Sequence, residues 1–106
     1  MIEWNGKDSL KEFINNNRIA VLEFGSVSCG ACMALNYKLS SWIDENEEIA
    51  GLYISIDKYL KTAAEFEVFS APAILIFVDG KLFVRKAGYF SLEQIKENIS
   101  RIKKLM

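Results

Sequence analysis

The chain has 106 residues, 51% of them apolar and 25% charged, with six glycines and one proline. That composition excludes a disordered chain and fits one compact domain, 1–106, hiding roughly two thirds of its unfolded surface. Thirteen Lys and Arg against fourteen Asp and Glu leave a net charge of -1, too little positive field to hold nucleic acid or an anionic membrane.

Ser9 or Asp8 can cap a first helix whose apolar Leu10, Phe13 and Ile14 share a face, and the Asn15-Asn16-Asn17 run closes it. Residues 19–24 form a nearly continuous apolar run, the pattern of a strand buried on both faces, and Gly25-Ser26-Val27-Ser28 follows as a loop. From Cys32 onward Leu35, Leu39, Trp42 and Ile43 keep helical spacing up to the acidic stretch 44–48. Leu52, Ile54 and Ile56 alternate with Tyr53, Ser55 and Asp57 as in a strand, and 59–66 has a short helical pattern. After Pro72, residues 73–78 are another buried strand, and Asp79-Gly80 predicts a hairpin into an antiparallel strand over 81–87. Leu92, Ile95, Ile99 and Ile102 then mark one face of a last helix, with Ser91 as its cap and Lys103 and Lys104 at its negative end.

The amino terminus lacks the basic start and long apolar segment of a signal peptide, and the longest apolar run, 71–78, is far too short to cross a bilayer. A cytoplasmic protein that touches no membrane is expected. Two cysteines and no histidine leave half of a structural zinc site, so no metal is expected, and they remove Ser-His, Cys-His and haem chemistry that needs an imidazole. Cysteine redox remains.

Cys29 and Cys32 stand between a buried strand and a helix, where unpaired N–H groups and the helix dipole favour a thiolate. A two-residue spacer lets the second thiol resolve, within one turn, a mixed disulfide formed by the first. In this setting Ser28-Cys29-Gly30-Ala31-Cys32 resembles the active site of the thioredoxin family, usually Trp-Cys-Gly-Pro-Cys, and the resemblance runs from Ile2 to the last helix. It implies an α/β thioredoxin fold, a central mixed β-sheet flanked by helices in β-α-β-α-β-α-β-β-α order, one strand more at the amino end than the residue patterns mark. It also implies a thiol-disulfide oxidoreductase that needs no bound cofactor and reduces protein disulfides as a monomer, with Cys29 as nucleophile, Cys32 as resolver and a thioredoxin reductase as electron donor.

By the same resemblance Ala71-Pro72 is the loop with a cis-proline against the disulfide, and Gly88 lines the third side of a substrate groove that Ser28, Gly30 and Ala31 border. Pro72 can also be read simply as the start of a strand. Glu23 takes the place of a buried Asp that exchanges protons with the resolving cysteine; burial would raise its pKa. Its alternative is a solvent-facing carboxylate. Tyr53 stands where many members place a Lys partner for that acid, Ala73 where Thr is common, and Tyr37 where a proline kinks the helix. Phe69, Tyr89 and Phe90 flank the expected groove, as packing residues or as an apolar rim. Ala31 keeps an N–H that proline lacks, free to point at the Cys29 sulfur, which predicts a redox potential roughly 20 mV above about -270 mV. Two other readings stay open: a redox-sensing interaction module using the same groove, and a dedicated redox partner of one enzyme.

Overall fold

The apolar runs and their turn signals resolve, in a computed structural model that describes residues 1–88 and 90–106, into β1 (Ile2–Glu3), α1 (Leu10–Asn16), β2 (Ile19–Gly25), α2 (Gly30–Asp44), β3 (Ile49–Ser55), α3 (Leu60–Glu65), β4 (Ala73–Val78), β5 (Lys81–Ala87) and α4 (Leu92–Leu105). The strands form one mixed sheet in the order β1-β3-β2-β4-β5. β3 runs parallel to β1 and β2, β4 is antiparallel to β2, and β5 is antiparallel to β4. This is the expected α/β architecture.

The most apolar strands are central because both their faces must be covered; β2 and β4 are buried at every position. The crossovers β1-α1-β2 and β2-α2-β3 run in opposite directions across the sheet. Right-handed connections therefore send α1 and α2 to opposite faces. On one face Ala20, Leu22 and Phe24 of β2 join Leu10, Ile14, Leu52, Ile54 and Ala63. On the other, Ile19 and Val21 join Leu39, Ile43, Ile74, Ile95 and Ile99.

Local signals end the elements as chemistry requires. Ser9 caps α1 by accepting from Glu12 N–H at 3.1 Å, and Ser91 and Gln94 form a reciprocal capping box at α4. At the β4–β5 hairpin both Asp79 (φ 50°) and Gly80 (φ 83°) are left-handed, the geometry whose twist suits a two-residue turn.

β3 begins at Ile49, earlier than the Leu52–Ile56 alternation marks, because Ile49, Ala50 and Gly51 pair in parallel with Ile19, Ala20 and Val21. The neighbouring strand supplies what alternation does not show. Ile56 falls just beyond β3, its N–H donating to Gly25 O at 2.8 Å. α2 runs unbroken for 15 residues through Tyr37, which is exposed.

Candidate active site

β2 ends at Gly25 in the middle of the sheet, and the chain turns through 26–28 into α2. Cys29 is the N-cap of that helix, and its Sγ accepts from Cys32 N–H at 3.1 Å. This is the hydrogen bond that an N-cap side chain makes to the third helical residue. In this disulfide form the donor to the sulfur is Cys32, the third residue of the helix, and not Ala31, the second.

Cys29 and Cys32 are joined as a disulfide with their Cα atoms 5.3 Å apart. The two sulfurs differ in access. Cys29 is half-buried, whereas Cys32 is fully enclosed (0% exposed). Gly30 and Ala31, which complete the turn between them, are exposed, as is Ser28 before them.

Glu23 lies two residues before the end of β2, on the strand face that α2 and α4 cover, and is 0% exposed. The solvent-facing alternative is therefore ruled out. Neither carboxyl oxygen has a hydrogen-bond partner. Burial pushes the carboxyl from its ordinary value of 4.5 up to about 8, because a desolvated carboxylate has nothing to stabilise it. Its neighbours across the ladder are Tyr53 on β3 and Ile74 on β4.

The Ala71-Pro72 bond is cis and immediately precedes β4. The loop around it is fastened on two sides. Pro72 O accepts from Gly88 N–H at 3.1 Å, and the Arg85 guanidinium donates to Phe66 O at 2.8 Å and Glu67 O at 3.3 Å. Gly88 is thus tied to the cis-proline residue, and both are brought to the same end of β4 and β5. Phe69 is 79% exposed in the loop before Pro72, whereas Phe90 packs on the α2–α4 cluster; the reading of Tyr89 lies outside the described residues. Val27 and Met33, on either side of the cysteines in sequence, are also exposed.

Two features escaped the sequence reading. Asp57, just past β3, accepts from Ser26 Oγ and from Val27 N–H, both at 2.9 Å, and Ser26 Oγ lies 3.0 Å from Ser28 Oγ. Asp57 therefore tethers the loop that delivers Cys29. Those bonds, the Val27 N–H first, hold its carboxyl below the ordinary value. The other is a close approach of the Tyr53 phenol to Gly25. The only sequence signals were a polar residue just beyond a parallel strand and a glycine ending an apolar one.

A family model described as Thioredoxin matches residues 2–101. The chain belongs to the thioredoxin family. With its cysteine pair at disulfide distance at the start of a helix, it is a thiol-disulfide oxidoreductase. It is 28% identical over 97 residues to the thioredoxin-like protein YdfQ of Bacillus subtilis, covering 92% of this chain and 87% of that protein. It is 23% identical over 91 residues to a thioredoxin of Mycoplasmoides gallisepticum, covering 86% and 91% respectively. Among solved structures, Fasciola hepatica thioredoxin superposes with a TM-score of 0.79 at 26% identity, over 87% of this chain and 89% of that one. A mutant thioredoxin from Halobacterium salinarum shares the fold with a TM-score of 0.80 at 20% identity, over 94% of this chain and 86% of that one. Among the described residues, no helix is long and apolar enough to cross a membrane.

Proposed function

We propose that this family member is a protein-disulfide reductase. Cys29 thiolate attacks a client disulfide, forming a mixed disulfide and releasing one client thiolate. The Cys32 thiol then gives its proton to Glu23 and attacks the Cys29 sulfur. This releases the second client thiolate and leaves Cys29 and Cys32 bonded to each other, so the client gains the two electrons that the dithiol loses. A thioredoxin reductase or an equivalent dithiol donor restores the reduced pair in the cytoplasm.

The observation that carries this reading is the asymmetry of the pair. A half-exposed Cys29 at a helix N-terminus can meet a protein, and an enclosed Cys32 meets only Cys29 and the buried side of the site. Ser28, Gly30, Ala31, Ala71, Pro72 and Gly88 form the client groove, and exposed Val27, Met33 and Phe69 give it an apolar border suited to a protein rather than a small molecule. The protein acts as a monomer, since one chain carries the whole site.

Reduction of insulin by dithiothreitol tests the proposal. Catalytic acceleration is expected, lost in Cys29→Ser. Stoichiometric oxidation without turnover would instead favour a redox-sensing module, and turnover with one enzyme client but not insulin would favour a dedicated partner.

A further inference from the structure

Glu23 is fully buried, yet it sits only two residues from the end of its strand, before the exposed loop that leads to the cysteines. It shares its strand face with Ile19 and Val21, which pack with Ile95 and Ile99 of α4, and its ladder partner on β4 is Ile74. On its other flank lies β3. There the partner across the ladder is Tyr53.

Tyr53 does not stand straight up from the sheet. A Cβ at position 25 would lie 2.6 Å from its ring carbon Cε2 and closer still to its hydroxyl. Gly25 shares a strand face with Glu23, so the ring leans along β2 from the level of Glu23 toward the strand end, across the space that any other residue at 25 would fill. Tyr53 itself is half-buried, and its residue is the ladder partner of Glu23. Proximity is reciprocal: the phenol is pushed above its ordinary value by burial first and by the Glu23 charge next.

We propose that Tyr53 is a positioning residue whose ring, seated in the gap left by Gly25, keeps water from Glu23. The proposal rests on the reading of Glu23 as proton acceptor. The ring does the work and not the hydroxyl, because neither Glu23 oxygen receives a hydrogen bond. The pair replaces a charged neighbour by an aromatic cover: dryness alone raises the proton affinity of the carboxyl, so that its ionised form takes the proton of Cys32 readily.

Among the described residues, other ionisable groups on this side of the sheet are few. Glu3 on β1 pairs across the ladder with Tyr53, not Glu23, and its carboxylate is bonded to Lys58 at 3.0 Å. Asp57 is engaged by Ser26 and Val27. Lys86 on β5 lies beyond Ile74, α2 contributes Cys32, and the α4 residues in this cluster are apolar. Burial is the cause of the Glu23 shift, and no charge contributes to it.

The test is the protonation of Glu23 in the oxidised protein, read from the infrared carbonyl band of its acid form against Glu23→Gln as blank. Tyr53→Phe should titrate with the parent at about 8. Tyr53→Ala should titrate at least about one pH unit lower, because water then reaches the carboxyl. Gly25→Ala should move the same way with Tyr53 still present, since the new methyl displaces the ring. A Tyr53→Phe shift as large as that of Tyr53→Ala would assign the effect to the hydroxyl, and an unmoved titration in Tyr53→Ala would remove Tyr53 from the account; either overturns the proposal. The pH profile of insulin reduction separates it from the reading beneath it. If the carboxyl moves as expected but neither Tyr53→Ala nor Glu23→Gln alters that profile, the cover stands and the proton-acceptor role of Glu23 falls.

Discussion

On one face of β2, Ala20, Leu22 and Phe24 sink into an apolar cluster from end to end. On the other, Ile19 and Val21 do the same, and then the pattern breaks at Glu23 and Gly25. All these positions are buried, so the difference is not exposure but what burial is used for. One face is packing throughout. The other exchanges packing for a carboxyl without hydrogen-bond partners, at the end of the strand where the cysteines sit. An unpaired buried polar group costs kilocalories, and a protein tolerates such a cost where chemistry needs it.

The most severe break of this comparison lies just beyond the strand. Cys29→Ser should abolish turnover of insulin while the fold survives, because the position is a cap rather than a core residue; serine is itself a favoured cap. Cys32→Ser should instead trap client proteins as mixed disulfides visible on non-reducing gels. Equal trapping by Cys29→Ser would reverse the two roles.

The packing face should respond to truncation in the opposite currency. Phe24 is fully buried, with its ring centroid 5.9 Å from that of Phe66. Phe24→Ala should cost about 3–5 kcal/mol in denaturant unfolding of the oxidised protein. Should the loss stay below about 1 kcal/mol, the two faces would not differ in the way described.

Glu23→Gln should slow insulin reduction near neutral pH, by up to about 10²-fold if proton transfer limits the resolving step, while making the protein more stable. The sign follows from the raised carboxyl. Below its ordinary value of 4.5, Glu23 is protonated in both folded and unfolded chains and contributes no pH dependence. Between 4.5 and about 8 the unfolded chain releases the proton and the folded one keeps it, so folded stability falls as pH rises. At pH 7 that loss reaches about 3 kcal/mol, taking 1.36 kcal/mol per pH unit as an upper figure. The advantage of the glutamine variant should therefore grow from pH 4 to pH 8, and a constant difference over that range would show that Glu23 is ionised as freely folded as unfolded.

Much of this architecture was legible because the chain repeats its signals. The runs 19–24 and 73–78, the Asp79-Gly80 turn and the caps Ser9 and Ser91 each agree with their surroundings. β1 was not legible from residue patterns: it has two exposed residues and exists by pairing with Leu52 and Tyr53. In the site, the strand-to-helix position of the cysteines was plain. The burial of Glu23 was not, since a carboxylate in an apolar strand can face either way until the layers are assembled. The Asp57 bond to Val27 and the Tyr53 approach to Gly25 depend on the β2–β3 register. No local pattern encodes that register.

The smallest expected effect concerns Ala31, and here the geometry revises the sequence argument. The bond to Cys29 Sγ comes from Cys32 N–H, a donor present whether the spacer ends in alanine or proline. Proline is accepted within the first helical turn because N–H groups there lack helical partners. Ala31→Pro therefore removes a group that the cap does not use, and the thiolate keeps its hydrogen bond. With 30 mV corresponding to about 1.4 kcal/mol for a two-electron couple, the redox potential should move by less than about 10 mV in equilibration with glutathione buffers. The Cys29 pKa, followed by thiolate absorbance, should be equally indifferent. A fall of about 20 mV or more would return the donor to Ala31 and place two N–H groups on the sulfur of the reduced protein.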